Sequence, residues 1–412
     1  MFRKLLTFDE AKNILSQLEL ATLGTEKIPL LEAYNRVIAE DAISSLDIPP
    51  FDRSTVDGYA VKAEDTYGAE DKQPIRLKVS GVVSVGELPT IRVGKGEAGE
   101  IVTGAPIPQG ADAVVMVEDT ERKNGDLTVF SSVTKGENVM KKGTDLHKGE
   151  TALKAGQALS PSQIGVLAAI GMIKIKVFMV PKVAVLSTGA EVTEPGKPLP
   201  PGKIYDINAY SISSAVAECG GKPLYMGVAP DDMEKLRETL EHALAKADVV
   251  ITSAGVSVGP KDLLPQTVDS LGKPGLLFSG VAVKPGKPTT AALIGKKPVF
   301  SLPGHPASAL LMFHLLVRPV IQRLSGRTSP ESASVRAFAS ARMFSAKGRR
   351  TFVMVKLKRD ESKRLVAEPV ESGASGAITT LARADGFVEI PENQQFVDKD
   401  DEVVVSLLRN FA

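Results

Sequence analysis

The sequence predicts a multidomain protein that combines α/β and β units, and three observations lead to this fold class. The chain has 412 residues, which is too many for a single hydrophobic core. Between residues 46 and 149, short β-rich runs alternate with glycine and proline turns, which indicates an all-β module. After residue 181, apolar strands alternate with helices, a pattern typical of a doubly wound parallel sheet.

The regions on either side of the β module each carry one predicted helix. Residues 5–20 begin with a capping box of Thr7 and Glu10 and continue as an apolar stripe. Residues 160–171 begin with Ser160 as N-cap and Pro161 in the first turn. The strands predicted for the β module span residues 75–79, 101–103, 113–117 and 127–130.

The second half of the chain is predicted to contain an α/β unit, a linker and a terminal β module. The linker is residues 325–332, and residues 333–408 return to short strands and turns, which predicts a small β-barrel or sandwich. The α/β unit is expected to contain strands at 183–187, 248–253 and 298–302 and helices at 212–218, 233–245 and 306–324.

The composition excludes several classes of function. Lysine and arginine total 50 against 49 aspartates and glutamates, so there is no bulk electrostatic case for a nucleic-acid or membrane partner. Cys219 is the single cysteine, which rules out an intramolecular disulfide or a cysteine-based zinc site. Residues 1–4 are not followed by an apolar run long enough for a signal peptide, so none is expected. The apolar runs at 164–173 and 309–317 are about half of the ~20 residues that a membrane span needs. We therefore predict a cytoplasmic protein.

The loop after the strand at 248–253 is the first candidate ligand site. Residues 254–259 are small, so backbone N–H groups can approach an anion closely, and Ser257 adds a hydroxyl. Asp262 then follows where a carboxylate could hold Mg²⁺ against a bound phosphate. A tight turn with a capping aspartate explains this loop equally well.

Other strand-end loops of the same sheet also carry polar groups. Thr188 and Glu191 follow one strand, and residues 302–306 link another strand to a helix N-terminus that favours anions. Asp206 and Asn208 precede a helix, and one of them is expected to be only its N-cap. The string KPGKP at 284–288, here called the lysine turn, holds two lysines between prolines. Because strand ends of a parallel sheet meet at one edge, these loops predict a single cleft.

Two strings in the β module are dense in polar groups without helical or strand periodicity. One is PPFDRSTVDGYAV at residues 49–61, and the other is TGAPIP at 103–108, followed by GADAVV at 110–115. Turn chemistry accounts for their glycines and prolines but not for the clustered carboxylates and hydroxyls of the first string.

Taken together, these strings resemble the molybdopterin molybdenumtransferase family, which comprises MoeA and the gephyrin E domain. The resemblance covers essentially the whole chain and follows the order of the family. Its motifs are PPFDRSTVDGYAV, TGAPIPQGADAVV, KKGTDL, LSTGAEV, IYDIN, SAGVSVGPKD, KPGKP and LPGHP. The loop at 254–262 also occurs in MogA-like adenylyltransferases and CinA-like proteins, which lack the DGYAV and TGAP strings and the terminal β module.

The resemblance implies an elongated homodimer of four domains. These are a connecting domain, a β-rich insertion domain, a MogA-like doubly wound α/β domain and a C-terminal β-barrel. The bounds drawn from the sequence agree with that order: residues 1–45 with 150–180, 46–149, 181–326 and 327–412.

The resemblance also implies an activity and its residues. The family cleaves adenylylated molybdopterin with Mg²⁺, releases AMP and inserts molybdate or tungstate into the dithiolene. Contact with a MogA-like adenylyltransferase is a further expectation. The catalytic residues carried over are Asp57, Thr103, Asp145, Glu191 and Asp231, with Asp262 as the metal ligand. The residues expected to bind the substrate are Thr188, Ser253, Gly255, Ser257, Lys284, Lys287, Pro303 and Pro306. In this family the β-domain carboxylates face the α/β cleft of the dimer mate.

The chain departs from the family pattern at four positions. Ala190 precedes the glutamate, Ala254 replaces a usual glycine, His305 replaces a common asparagine, and Gly280 stands where some members have a lysine. His305 is expected to be a half-buried structural histidine rather than a ligand. Three alternatives stay open: a MogA-like adenylyltransferase, a scaffold that binds a protein partner, and specialisation for tungsten.

Overall fold

The computed structural model describes residues 5–230, 232–253, 263–328, 333–370 and 382–408, except for the side chains of residues 263 and 264. The first helix, α1 (Phe8–Ser16), confirms the predicted helix but is shorter at both ends. Its capping box is formed, because Thr7 Oγ1 accepts the Glu10 N–H at 3.2 Å and Glu10 Oε2 accepts the Thr7 N–H at 2.7 Å. Strands β1 (Thr25–Pro29) and β2 (Ala42–Ile43) follow.

Helix α1 packs on the α/β unit and the C-terminal barrel, although it lies within the range predicted for the connecting domain. Phe8, Ala11 and Leu15 share one core cluster with strands and helices of the α/β unit and with Phe352 of the barrel. The guanidinium of Arg323 donates to the carbonyl oxygens of Leu15 and Ser16 at 3.0 and 2.6 Å. A cation at the carbonyl end of a helix is favourable, so this contact stabilises the docked position of α1. The domain bounds themselves stay a prediction.

The β module contains a six-stranded sheet in the order β7-β4-β6-β5-β9-β8. Strands β5 and β6 are parallel and the other neighbours are antiparallel. Three of the four predicted strands are present with shifted ends, whereas the strand predicted at 101–103 shares only Ile101 with β6 and Thr103 lies outside it. The bounds are β3 (Arg53–Ser54), β4 (Gly58–Val61), β5 (Ile75–Val83), β6 (Glu97–Ile101), β7 (Ala113–Met116), β8 (Thr120–Lys123), β9 (Asp126–Val129) and β10 (Val139–Met140).

The chain then returns to pair with its own N-terminal strands. Strand β11 (Thr151–Leu153) pairs with β2, and β12 (Lys174–Phe178) pairs with β1 in antiparallel register. Between them, α2 (Pro161–Ala169) confirms the second predicted helix, and the Ser160 N–H donates to Gln163 Oε1 at 3.1 Å.

The α/β unit is built on a six-stranded sheet in the order β16-β13-β17-β21-β20-β18. The first four strands are parallel, as predicted, whereas β20 runs antiparallel to both of its neighbours. The strands predicted at 183–187, 248–253 and 298–302 are the parallel strands β13, β17 and β21, which confirms the doubly wound α/β class. Strand β20 is antiparallel because the two-residue turn of Gly295 and Lys296 joins it to β21, and strands joined by so short a turn must be antiparallel.

The elements of the α/β unit surround this sheet on both faces. Helices α3, α6 and α7 pack with α1 on one face, and α4 packs on the other. The bounds are β13 (Lys182–Thr188), β14 (Val192–Thr193), β15 (Ile204–Tyr205), α3 (Asn208–Glu218), β16 (Lys222–Ala229), α4 (Met233–Lys246), β17 (Val249–Ser253), α5 (Leu263–Ser270), β18 (Pro274–Ser279), β19 (Val283–Lys284), β20 (Thr290–Ile294), β21 (Lys297–Leu302), α6 (Pro306–Met312) and α7 (Arg318–Leu324).

A π-helical turn (Phe313–Val317) joins α6 to α7 and makes residues 306–324 one continuous helical stretch. Among the described residues, this is the one stretch with the length and hydropathy to cross a membrane, and 61% of it is buried inside the fold. Its apolar side chains belong to the main core cluster of the α/β unit.

His314 lies in the π-helical turn and is predicted to make the folded state sensitive to acid. Burial, with a smaller contribution from the Arg318 charge, lowers the pKa of His314 from 6.5 to about 4. The unfolded chain therefore binds a proton below about pH 6.5, whereas the folded chain does so only near pH 4. The folded state therefore has its full stability above about pH 6.5, where His314 is neutral in both states. This stability is lost as the pH falls toward 4, because only the unfolded chain gains a proton in that range.

We expect the free energy of unfolding to fall by about 2 kcal/mol on this account between about pH 7.5 and pH 5. His314→Leu should remove that part of the pH dependence, since the leucine side chain does not titrate. Urea titrations of both proteins at the two pH values measure the difference. An identical loss of stability in both proteins would show that His314 is not responsible.

The C-terminal region is a closed barrel of five strands, as expected. The strands close in the order β24-β25-β22-β28-β26, because β26 also pairs with β24. Strand β19 of the α/β unit pairs in parallel with the beginning of β24 and so joins the two units. The bounds are β22 (Ser334–Ala339), β23 (Met343–Phe344), β24 (Arg350–Arg359), β25 (Leu365–Pro369), β26 (Gly386–Ile390), β27 (Phe396–Val397) and β28 (Glu402–Leu407).

Candidate functional site

Three of the predicted site residues lie side by side at the carboxyl edge of the α/β sheet. Thr188 ends β13, Ser253 ends β17, and Pro303 directly follows β21. In the sheet register, Ser253 lies opposite Ser187 on one side and opposite Leu302 on the other. The side chains of Thr188 and Ser253 are buried, and neither hydroxyl oxygen has a hydrogen-bond partner among the described residues. A buried hydroxyl without a hydrogen-bond partner costs free energy. The described fold leaves these two hydroxyls without partners, so a bound polar ligand would be able to supply them.

Asp206 and Asn208 support this edge from the start of α3. Asp206 Oδ1 accepts the Ser187 hydroxyl at 2.8 Å and the Ala209 N–H at 3.0 Å. Asp206 therefore caps the helix, as expected for one of the two residues. The Asn208 side chain donates to the Gly304 carbonyl oxygen at 2.7 Å. Asn208 thus ties α3 to the loop that contains Pro303 and Pro306, and Pro306 is the first residue of α6.

A row of hydroxyl groups crosses the same edge, and sequence reasoning missed most of it. The Thr252 and Ser301 hydroxyl oxygens are 2.6 Å apart, and Thr290 Oγ1 donates to Ser279 Oγ at 3.3 Å. Thr290 also lies opposite Ser301 in the register of β20 and β21. Single serines and threonines inside apolar runs indicate only strands, and the strand order that aligns them is not predictable from spacing.

The lysine turn lies at this edge because it is part of the connection that follows β18, and β18 runs parallel to β21. The Lys284–Pro285 peptide bond is cis. Lys284 is exposed and Lys287 is half-buried. Neither ammonium group forms an ion pair with a carboxylate of the described residues. The chain has nearly as many carboxylates as cations, 49 against 50, so the lack of an ion pair at both lysines is not due to a shortage of carboxylates. Two such lysines on a fixed turn can attract an anion.

The structure explains one of the four departures from the family pattern and shows the surroundings of a second. Gly280 has a φ of +94°, and a Cβ there would lie 2.6 Å from the side chain of Leu5, so this backbone does not accept a lysine. His305 is exposed at the N-cap of α6, and its side chain makes no capping hydrogen bond. The expectation of a half-buried structural histidine is therefore wrong, because the loop turns the side chain toward solvent.

Glu191 lies beside the strand end, and the remaining predicted residues of the edge lie outside the described part. Glu191 is exposed, and its carboxylate folds back over Gly189, where a Cβ would lie 2.7 Å from Glu191 Oε2. Asp231, Gly255, Ser257 and Asp262 lie outside the described residues. Within the described residues, no group of three or more His, Cys, Asp or Glu side chains could hold a metal ion.

Three of the recognised motifs meet at strand β3 in the β module. Ser54 donates its N–H to the Ala105 carbonyl oxygen and accepts the Gly104 N–H, which brings the TGAP string alongside. On its other edge, β3 pairs with β10, which leads into KKGTDL. Asp52 reinforces this junction, because its carboxylate accepts the Lys141 ammonium and the Lys142 N–H, each at 2.8 Å.

Asp57, Thr103 and Asp145 present exposed polar groups around this junction. Asp57 Oδ1 accepts the Thr103 N–H at 2.6 Å and the Thr103 hydroxyl at 2.8 Å. These two bonds, the backbone one first, hold the pKa of Asp57 below its ordinary value and keep the carboxylate ionised. Asp145 is exposed, and its N–H donates to the Ile48 carbonyl oxygen at 3.0 Å.

The predicted site residues thus form two groups, one at the sheet edge and one in the β module. No described hydrogen bond or ion pair joins Asp57, Thr103 or Asp145 to the sheet-edge residues. Their roles in chemistry stay predictions.

Comparison with known proteins covers the chain from end to end. Residues 6–171 match the family model of the MoeA N-terminal region (domain I and II), residues 184–323 match a probable molybdopterin binding domain, and residues 336–408 match the MoeA C-terminal region (domain IV). The molybdopterin molybdenumtransferase of Bacillus subtilis is 34% identical over 389 residues, which are 93% of this chain and 90% of the relative. Molybdopterin molybdenumtransferase 2 of Mycobacterium tuberculosis is 34% identical over 370 residues, with 89% and 91% covered.

Solved structures give the same result. A crystal structure of a MoeA protein of molybdopterin biosynthesis from Pyrococcus horikoshii has a TM-score of 0.83 at 33% identity and covers 98% of this chain and 100% of its own. A second Pyrococcus MoeA structure is 43% identical, with a TM-score of 0.78 and coverage of 99% and 100%. The chain belongs to the molybdopterin molybdenumtransferase family and is an enzyme of molybdenum-cofactor biosynthesis.

Proposed function

We propose that the enzyme hydrolyses adenylylated molybdopterin in a Mg²⁺-dependent reaction and inserts molybdate or tungstate into the dithiolene. Water supplies the oxygen that ends on AMP, the bond between the two phosphates breaks, and molybdopterin keeps its phosphate. The observation that carries the proposal is the lysine turn, whose two lysines form no ion pair with a described carboxylate and lie at the same sheet edge as Thr188 and Ser253. Both substrates are multiply charged anions, and fixed cations with buried hydroxyls are suited to hold them.

The residues of this edge fit Mg²⁺ by their chemistry. Magnesium prefers oxygen donors and is held in proteins by one or two carboxylates together with substrate phosphates. Glu191 and the hydroxyl oxygens of Thr188 and Ser253 are oxygen donors at the strand ends, and the two hydroxyls have no partner within the described part of the chain. Asp262 would hold the ion, and Glu191 is a described carboxylate at the strand end. When bound, the ion would polarise the phosphate that is cleaved.

The chain's own residues orient the two substrates. Lys284 and Lys287 would attract the oxyanion or the phosphate, and Pro303 and Pro306 would shape the loop that Asn208 holds against α3. Asp57 is ionised and already hydrogen-bonded to Thr103, so it is a fixed acceptor for a hydroxyl or amino group of the substrate. A MogA-like adenylyltransferase is the class of enzyme that must supply the adenylylated substrate.

Asp262→Asn is expected to abolish Mg²⁺-dependent AMP release and to leave the fold intact. The amide keeps the shape of the side chain but removes the charge that attracts the ion. Release of AMP from adenylylated molybdopterin, followed across a Mg²⁺ titration, measures the effect. Asp71→Asn is the control, because it makes the same change at an exposed carboxylate of the β module. Asp269→Asn would be a poorer control, since Asp269 accepts the Leu276 N–H. Turnover by Asp262→Asn equal to that of Asp71→Asn would remove Asp262 from the metal site.

We further propose that the active site is shared between two chains of a homodimer. The β-module group and the sheet-edge group share no described hydrogen bond or ion pair within one chain, and each carries groups suited to the same substrate. A partner chain related by two-fold symmetry would supply Asp57 and Thr103 to the lysine turn of the first chain.

Mixing inactive Asp57→Asn with inactive Asp262→Asn protein is therefore expected to restore activity. In a mixed dimer, both lesions fall in one cleft and the other cleft receives two intact halves. Randomised subunit exchange should give up to about one quarter of the wild-type activity, since half of the dimers are mixed and each has one intact cleft. Exchange has to be verified independently with tagged chains. No recovery of activity after verified exchange would place the whole site within one chain.

A further inference from the structure

Arg350 holds α1 and the C-terminal barrel together. Its guanidinium donates to both carboxylate oxygens of Asp9 at 2.7 Å, and the side chain is only 14% exposed. The same group pairs with Glu392 at 2.9 Å and with Glu389 at 3.3 Å, both within the barrel. It also lies 5.4 Å from the centre of the Phe8 ring. A bidentate guanidinium–carboxylate contact fixes both distance and orientation, so α1 has a defined position on β24.

The strand that leads into the lysine turn is held by the two elements that Arg350 joins. Ala282 donates its N–H to the Leu6 carbonyl oxygen at 2.7 Å and accepts the Arg350 N–H at 3.1 Å. Val281 forms a parallel bridge with Leu6, two residues before α1. Val283 and Lys284 then lie opposite Arg350 and Thr351 in the register of β19 and β24. The N-terminal segment and the barrel therefore bind successive residues of one short strand.

The lysine turn takes its position from this strand. The Val281 N–H donates to the Lys287 carbonyl oxygen at 2.9 Å, and the Gly280 N–H donates to the Thr289 carbonyl oxygen at 2.9 Å. At its centre, Gly286 lies so close to Met312 that a Cβ would be 2.4 Å from the sulfur. The turn is thus closed onto Gly280 and Val281 at its base and onto α6 at its tip. A shift of the base displaces Lys287 directly, through its own carbonyl group.

We propose that the Asp9–Arg350 pair is a clamp that positions Lys284 and Lys287 for anion binding. The proposal rests on the proposed function in one respect, the assignment of anion binding to these lysines. Asp9 and Arg350 act through β19 and touch no substrate, so both are positioning residues. Glu392 offers a matched control, because it pairs with the same guanidinium but links two parts of the barrel and leaves α1 untouched.

Two measurements on the full chain test the clamp. The first is hydrogen exchange at the Val281 and Ala282 amides in wild type, Asp9→Asn, Arg350→Met, the double variant and Glu392→Gln. The second is the affinity of the same proteins for molybdate by calorimetry, at a temperature where all of them are folded. Methionine keeps the length and the apolar stem of the arginine, which preserves the packing on Phe8.

Asp9→Asn and Arg350→Met are each expected to speed exchange of the two amides and to weaken molybdate binding roughly fivefold. The double variant should show no further loss, because the two residues form one interaction. Asp9→Glu should retain most of the wild-type behaviour, and Glu392→Gln should change molybdate affinity less than about twofold. This combination would support the clamp.

The proposal and the proposed function fail in different ways. Unchanged amide exchange in Asp9→Asn, or an equal effect of Glu392→Gln on both measurements, would overturn the clamp. A lower melting temperature with unchanged exchange and affinity would make the pair a stabilising contact only. A third outcome is possible: Asp9→Asn exchanges faster than wild type, but the wild-type protein itself binds no molybdate. That outcome would show that the clamp holds the turn and would overturn its role in anion binding.

Discussion

Gly58→Ala is expected to unfold the β module or to destabilise it by about 3 kcal/mol or more. Gly58 begins β4, which lies between β6 and β7 in the sheet. A Cβ at this position would lie 1.9 Å from the carbonyl oxygen of Val115. The obstacle is backbone of the neighbouring strand rather than a flexible side chain, so the sheet would have to open to admit a methyl group.

The effect should extend to the adjacent Asp57, whose carboxylate is aligned by two bonds from Thr103. Thermal unfolding and AMP release measure the two consequences. Gly165→Ala is the matched control, because Gly165 is an exposed residue of α2 and no described atom outside its own helix would lie within 4 Å of the added methyl group. That variant should gain about 0.5–1 kcal/mol from the better helix propensity of alanine. Wild-type stability in Gly58→Ala would mean that the DGYAV glycine is not required by packing.

Replacing Lys284 and Lys287 together by alanine is expected to weaken oxyanion or nucleotide binding about 100-fold. Each charge-assisted contact contributes about 1.5–3 kcal/mol, and neither lysine is neutralised by a carboxylate of the described chain. The backbone pairing of Lys284 with Thr351 survives the change, so the fold should be retained. The salt dependence of binding should also become shallower, because two fixed charges are lost.

Titration of molybdate and of AMP into both proteins at several salt concentrations measures this effect. Lys296→Ala is the control, since Lys296 is an exposed lysine in the β20–β21 turn at the opposite end of β21. If the double variant has the affinity and the salt slope of Lys296→Ala, the lysine turn is structural and the anion is held elsewhere.

The parts of the fold that follow a single local rule were predictable from the sequence. The capping box at Thr7 located one helix, and the N-cap Ser160 followed by Pro161 located another. The unbroken apolar run at 183–187 located a strand buried on both faces. The parallel order of β13, β17 and β21 followed from the alternation of strands and helices. The C-terminal barrel was predictable as a class, whereas its closure through β24 and β26 depends on long-range register.

Other elements could not be predicted from the sequence for identifiable reasons. Strand β4 is buried along its whole length, so it lacks the alternation of a half-exposed strand, and it follows a polar string. Strands β18 and β20 contain glycine, proline and threonine and show no clear strand pattern, so neither strand was predicted and the antiparallel edge of the sheet was missed. The docking of α1 on the barrel depends on the Asp9–Arg350 pair, whose members are 341 positions apart in the chain.

The candidate site shows the same division. Strand-end loops indicated Thr188, Glu191 and the lysine turn, because polar groups after apolar strands have a local pattern. The partnership of Asp57 with Thr103 depends on how β4 and β6 pair, and the hydroxyl row depends on the order of β17, β21 and β20. Both features depend on strand pairing between distant parts of the chain, which local sequence patterns do not reveal.

We propose that cleavage of adenylylated molybdopterin is coupled to insertion of the oxyanion. The most direct measurement is the ratio of AMP released to metal incorporated, in wild-type protein supplied with adenylylated molybdopterin, Mg²⁺ and either molybdate or tungstate. We predict about one AMP per metal atom, no release without Mg²⁺, and loss of both products in the double lysine variant. Metal incorporation without AMP release, or AMP release that continues unchanged in the double lysine variant, would contradict this claim.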